Sequence, residues 1–217
     1  MIHNRILFSI IFVVLAVMPS AARTLRVLAV GNSFSRDAVE QHLHELAMAD
    51  GDTMIVGNLF IPGCSLERHV QCARNDRPDY VYRKVGVDGK RVETKSMTLA
   101  RALADEPWDY VSMQQSSPIS GIYSTWSAWL PELKDYVKAR VPKKSKLMLH
   151  QTWAYSGDSG HSGFRNYGCN QDSMYRSIVG AVNKAARQYK IKYIMPSGTA
   201  IQNARTSFAG DHLNRDG

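Results

Sequence analysis

The chain has 217 residues, enough for one domain of ordinary size. Its 27 basic and 19 acidic residues give a net charge of +8, but the basic residues are dispersed, with short clusters at 83–84, 143–146 and 190–192. No nucleic-acid-binding motif accompanies them, so a solvated basic surface is expected and a nucleic-acid partner is not.

The first 22 residues read as an export signal. Arg5 supplies a positive start, residues 6–17 are apolar, and Pro19, Ser20, Ala21 and Ala22 supply a small-residue cleavage region. The apolar run falls short of the ~20 residues that a spanning helix needs. Cleavage after Ala22 is expected, leaving residues 23–217 as a periplasmic or secreted domain without a stable membrane anchor.

Residues 24–30 (TLRVLAV) read as a buried strand, and GNSFS at 31–35 as a tight turn. Ser35 is expected to cap a helix with Asp37 in its first turn and with Val39, Leu43, Leu46 and Ala47 on one face. Residues 53–60 form a second strand, ended by Pro62 and Gly63, and a short helix runs from Ser65. The Asp88-Gly89 turn within 81–94 predicts a hairpin, taken as a peripheral insertion. Residues 108–113 read as a third core strand. A helix follows over 126–141, with Pro131 in its first turn. Residues 146–150 make a fourth strand. Met174, Ile178, Val179, Val182 and Ala186 give a helical apolar face, and 191–195 a fifth strand closed by Pro196. This alternation predicts an α/β fold: a three-layer α/β/α domain with a mainly parallel sheet of about five strands. Sites in such sheets lie at the carboxyl ends of strands, which selects Ser33, Gly63, Gln114, Gln115 and the segment after His150.

Ser33 sits where a strand turns into a helix. Its N–H there faces the helix N-terminus and its hydroxyl projects from the sheet edge, as a nucleophile that must hold an oxyanion requires. The same position also suits a plain turn residue. The turn lacks the GxGxxG of a dinucleotide site, the GK[ST] of a P-loop and the GxSxG of the α/β-hydrolase elbow. Trp153 and Tyr155, followed by the polar loop 156–163, offer rings to stack on sugars, or inward packing of the same aromatics.

Three cysteines, Cys64, Cys72 and Cys169, allow one internal disulfide at most, with Cys64–Cys72 the local candidate. They lack the paired CxxC spacing of a zinc site. His42 and His44 do not share a helix face, no HExxH occurs, and His69 and His161 are scattered. No metal and no organic cofactor are expected.

The segment VLAVGNSFS at 27–35 resembles the first block of the SGNH (GDSL-like) hydrolases, whose serine is the nucleophile. IPGCSL at 61–66 resembles the second block, where a glycine N–H joins the oxyanion hole; Gly63 is the matching position. WDYVSMQQS at 108–116, QTWAY at 151–155 and IMPSGTA at 194–200 are similar to an SGNH-like family common in gut Bacteroides. The resemblance implies a serine esterase with a Ser-His-Asp triad, acting on an ester such as an O-acetyl group of a small-molecule or polysaccharide carbohydrate.

Two departures stand out. The third SGNH block offers GxND, whose Asn amide completes the oxyanion hole; here Gln114 or Gln115 would replace it. The last block is DxxH. Asp216 is placed to begin it, but the chain stops one residue later, so the resemblance puts the base beyond the chain's end, with His212 as the alternative base. These departures leave open a non-catalytic carbohydrate-binding protein on the same fold. A flavodoxin-like module binding phosphate at 31–35 is a further rival.

Overall fold

The computed structural model describes residues 24–211 and Leu213. The expected export signal, His212 and Asp216 lie outside the described residues.

Seven strands form one sheet. In chain order they are β1 (Thr24–Gly31), β2 (Thr53–Phe60), β3 (Tyr80–Val85), β4 (Arg91–Met97), β5 (Tyr110–Met113), β6 (Lys146–His150) and β7 (Tyr193–Met195). The spatial order is β4-β3-β2-β1-β5-β6-β7. From β2 to β7 every pairing is parallel; β3 and β4 add antiparallel to the β2 edge. The 81–94 hairpin is therefore part of the sheet, which has two more strands than expected. Its Tyr80 and Tyr82 are buried in the main core beside Trp108, which makes the hairpin integral.

Strand alternation divides the core in two. Leu28 and Val30 of β1 face the larger cluster. There they join Leu66 and Val70 of α3 (Leu66–Arg74), Leu99 and Leu103 of α4 (Leu99–Asp105), and residues of α5 (Tyr123–Lys138) and α6 (Gln171–Gln188). Ala29 faces the smaller cluster with Val39, Met54, Val56 and Val85. Trp108 is fully buried and donates from Nε1 to the Ala102 carbonyl at 2.9 Å. Gly57 makes room for it: a Cβ there would lie 2.7 Å from the indole.

Three local expectations need correction. Ser35 is not the helix cap. Helix α1 (Ser33–Ser35) begins earlier and is capped by Asn32, whose side chain accepts from Phe34 N–H at 3.1 Å. Residues Arg36–Glu40 then form a π-helical turn, and α2 (Leu43–Ala49) starts afresh. The helical phase is not carried across this break, so Leu46 is 66% exposed while Val39, Leu43 and Ala47 pack inward. Pro131 lies well inside α5, which starts at Tyr123 rather than near Trp126. The ring removes the N–H that would bond to Ser127, and the Tyr189 hydroxyl donates to that carbonyl instead, at 3.4 Å.

Helix α7 (Ser197–Arg205) follows β7 directly. No helix among the described residues is long and apolar enough to cross a membrane.

Candidate active site

The carboxyl ends of β1 and β2 and the loop after β6 open into one cleft of about 1110 Å³. Ser33, Gly63, Trp153 and Tyr155, separated by up to 122 positions in sequence, all line it.

Gly31 ends β1 where space is scarce: a Cβ there would meet Ser35 Oγ at 2.4 Å and Gln114 Cδ at 2.9 Å. Ser33 follows as the first residue of α1, partly exposed and facing the cleft. The N–H groups at a helix start have no partners within the helix, and negative charge is favoured there. Behind Ser33 the turn is held by polar groups. Ser35 Oγ lies 2.8 Å from both the Asn32 carbonyl and Asn58 Oδ1, and Asn58 Nδ2 donates to buried Glu40 at 2.7 Å. Glu40 is also within 3.6 Å of Arg83 and 3.5 Å of Arg91 from the hairpin. Sequence reasoning missed this network, because no spacing links residues 35, 40, 58, 83 and 91.

Ile61 to Cys64 closes a tight turn, with Cys64 N–H donating to the Ile61 carbonyl at 3.2 Å. Pro62 and Gly63 occupy its centre, and Gly63 has φ +60. Space is open around Gly63, so the left-handed backbone, not crowding, is what calls for glycine. Asn32 Nδ2 donates to the Cys64 carbonyl at 3.0 Å and ties the two loops together.

The two glutamines expected as oxyanion donors do not line the cleft. Gln115 spends its amide N–H groups on Thr125, and its Oε1 accepts from Leu66 N–H at 3.0 Å and Ser116 N–H at 2.9 Å. Gln114 is buried beneath the serine turn. Its Nε2 donates to Asn32 Oδ1 at 2.5 Å, and its Oε1 lies 2.7 Å from His150 Nδ1. His150, expected to touch substrate, is fully buried behind the cleft, where burial pushes its pKa down to about 3 and keeps it neutral. These corrections share a cause: the three side chains bind the strand ends to one another.

Trp153 packs on Phe34 with ring centroids 4.2 Å apart. Tyr155 donates to Ser117 Oγ at 2.8 Å and packs on His161, centroids 4.7 Å apart. His161 lines the cleft as well, and its Nδ1 accepts from Gly163 N–H at 3.0 Å, so Nε2 carries the proton of the neutral ring. Sequence spacing had left this histidine aside.

Asp211 latches the outer wall. Its carboxylate accepts from Gly157 N–H and from Gln171 Nε2, both at 2.8 Å, and contacts Arg205 Nε at 2.6 Å. Arg205 in turn donates to the Ala154 carbonyl at 2.9 Å. With these partners Asp211 is committed to holding the loop after β6, and Leu213 just beyond it reaches the cleft.

Cys64 and Cys72 are separate buried thiols rather than a disulfide, and Cys169 is an exposed thiol. The Cys64 sulfur lies 3.5 Å from His69 Nδ1, and burial raises the Cys64 thiol well above its usual range. Among the described residues no group of three His, Cys, Asp or Glu side chains is arranged to hold a metal ion.

The fold is the one found in SGNH hydrolases. A candidate SGNH hydrolase from Slackia heliotrinireducens is similar at a TM-score of 0.56 and 22% identity, over 87% of this chain and 89% of that one. TesA is similar at a TM-score of 0.51 and 14% identity, over 90% and 87% of the two chains. The family model for DUF4886, described as a domain of unknown function, matches residues 26–217, and the chain belongs to that family. A DUF4886 family protein from Bacteroides uniformis ATCC 8492 is 64% identical, with a TM-score of 0.88 over 90% of this chain and 75% of that one. No curated protein matches the chain.

Proposed function

We propose that the protein is a serine hydrolase that cleaves an ester, an O-acetyl group on a carbohydrate, with Ser33 as its nucleophile. One observation carries the reading. Ser33 stands at the start of a helix, at the carboxyl end of a central strand, in the same cleft as the left-handed Gly63 turn. In this reading Ser33 Oγ attacks the ester carbonyl. The backbone N–H groups of Ser33 and Gly63 take the negative charge of the tetrahedral intermediate. An Asp-His pair from the C-terminal segment removes the serine proton and returns it to the leaving alkoxide. Asp216 is the acid we assign to that pair, and His212 is the base the test below addresses. Asp211 is occupied by its latch. The Phe34–Trp153 and Tyr155–His161 pairs favour a sugar, because rings supply apolar area beside hydrogen-bonding groups. The export expected of residues 1–22 makes glycan esters outside the cytoplasm the accessible substrates.

A second reading is favoured by a specific observation. Neither Gln114 nor Gln115 reaches the cleft to complete an oxyanion hole, which suits a carbohydrate-binding protein without turnover. The two are separated by hydrolysis of p-nitrophenyl acetate and acetate release from acetylated xylan, beside Ser33→Ala and His212→Ala variants. Turnover lost in folded Ser33→Ala supports the hydrolase, and its further loss in His212→Ala assigns His212 as base. Binding of the glycan with no Ser33-dependent turnover supports the binding protein.

A further inference from the structure

Four consecutive strands of the sheet, β2, β1, β5 and β6, end at Cys64, Asn32, Gln114 and His150 in turn or one to four residues before them. One chain of hydrogen bonds crosses these ends in the sheet's own order. It runs from His150 Nδ1 to Gln114 Oε1 (2.7 Å), from Gln114 Nε2 to Asn32 Oδ1 (2.5 Å), and from Asn32 Nδ2 to the Cys64 carbonyl (3.0 Å). Asn32 Oδ1 also accepts from Phe34 N–H.

The direction of every link follows from two backbone groups that cannot change role. Phe34 N–H only donates, so it faces the oxygen of the Asn32 amide. The Cys64 carbonyl only accepts, so it faces the Asn32 nitrogen. Asn32 is therefore fixed in one orientation. Its oxygen requires a donor from Gln114, which turns the Gln114 oxygen toward His150. His150 must then carry its proton on Nδ1, leaving Nε2 as a bare acceptor. That Nε2 has no partner among the described residues. The cost is smaller than for an orphaned N–H, since the unmet imidazole nitrogen is an acceptor rather than a donor.

From this we propose that His150 and Gln114 are positioning residues: as a one-way donor chain they hold the Ser33 turn and the Gly63 loop at a fixed separation. The proposal rests on the reading of Ser33 as nucleophile. It also gives Gln114 a task other than oxyanion binding. The last two members of the chain are each one residue from an acting group, Asn32 beside Ser33 and Cys64 beside Gly63. Breaking a link lets the nucleophile drift from the oxyanion donors, while the aromatic walls of the cleft stay in place. The loss therefore falls on kcat rather than KM.

The test uses the full chain with p-nitrophenyl acetate, comparing wild type, Ser33→Ala, His150→Phe, His150→Asn and Gln114→Met. A displacement of the order of 1 Å costs about 10²-fold in rate, and that fall in kcat is expected of His150→Phe with KM unchanged. Gln114→Met, which cannot donate to Asn32, should fall alike. His150→Asn, whose amide N–H takes the place of Nδ1–H, should recover most of the rate. Nitrogen NMR of the wild-type imidazole should show the neutral Nδ1–H tautomer. Equal rates for wild type and Ser33→Ala would overturn the hydrolase reading and the positioning role together. Ser33-dependent turnover that survives in folded His150→Phe overturns the positioning role alone. So does an Nε2–H tautomer, or an Asn variant no better than the Phe variant.

Discussion

Gly198, at the start of α7, lies hard against the backbone of the loop after β6, and the same substitution at another glycine provides its control. A Cβ at Gly198 would lie 2.1 Å from the Thr152 carbonyl oxygen, 2.9 Å from the Thr152 carbonyl carbon and 3.2 Å from Trp153 Cα. These are backbone atoms, so no side chain can swing aside. The helix is also fixed to this loop, since Gly198 N–H donates to the Gln151 carbonyl at 2.9 Å and Thr199 meets the Gln151 side chain at 3.1 Å. Relief requires a backbone shift of roughly 1 Å, and overpacking of this kind costs about 2 kcal/mol. For a domain of this size that is a fall in Tm of about 4–8 °C. Gly180 of α6 is exposed with open space around it, and Gly180→Ala should instead stabilise by about 1 kcal/mol through helix propensity. Urea unfolding of both variants measures the two signs. Because Trp153 rides on the displaced segment, Gly198→Ala should also weaken ester turnover or glycan binding. A Gly198→Ala protein with wild-type Cm and m value would refute the close-approach argument.

Other consequences are as direct. His69 and His150 are fully buried, with pKa values held down to about 3 by burial against an ordinary 6.5. The unfolded chain takes up these protons first, so their contribution to stability is complete above about pH 6.5 and is lost as pH falls toward 3, by up to about 1.4 kcal/mol per pH unit for each histidine. Urea midpoints at about pH 7.5 and about pH 5 should differ in that sense, and a slope that His150→Asn does not reduce would contradict the assignment. Asp211→Ala removes a carboxylate held by three partners and should cost about 2 kcal/mol. Faster hydrogen exchange at Gly157 N–H would report release of the cleft wall; unchanged exchange would show that the latch is idle. A thiol reagent should label Cys169 in the native protein and reach Cys64 and Cys72 only on unfolding. A native protein with no reactive thiol would contradict this arrangement.

The parallel strands were legible because each is a short apolar run closed by turn residues, and β2 and β6 begin and end where the pattern puts them. The rule that strand ends carry sites selects Ser33, Gly63, Trp153 and Tyr155, and all four line one cleft. What composition cannot report is the direction of a side chain that follows a strand. Gln114 and Gln115 are adjacent and chemically identical, yet one turns under β1 and the other toward Thr125. The helix after Ser33 misled for a similar reason. Its apolar spacing assumes one uninterrupted α-helical phase, and the π turn at Arg36–Glu40 breaks it. The hairpin looked peripheral because its turn and charges are conspicuous, while the tyrosines that root it in the core read as ordinary strand residues.

That hairpin also decides what the sheet presents to other chains. β2 is buried along nearly its whole length, and as an outermost strand it would offer an apolar row of open hydrogen-bonding groups. With β3 and β4 in place the outermost strand instead bears Arg91, Glu93 and Lys95, exposed residues that an added strand would have to desolvate. The hairpin thus acts as a guard rail against self-association. A version lacking it would be expected to form aggregates long before its cleft lost shape.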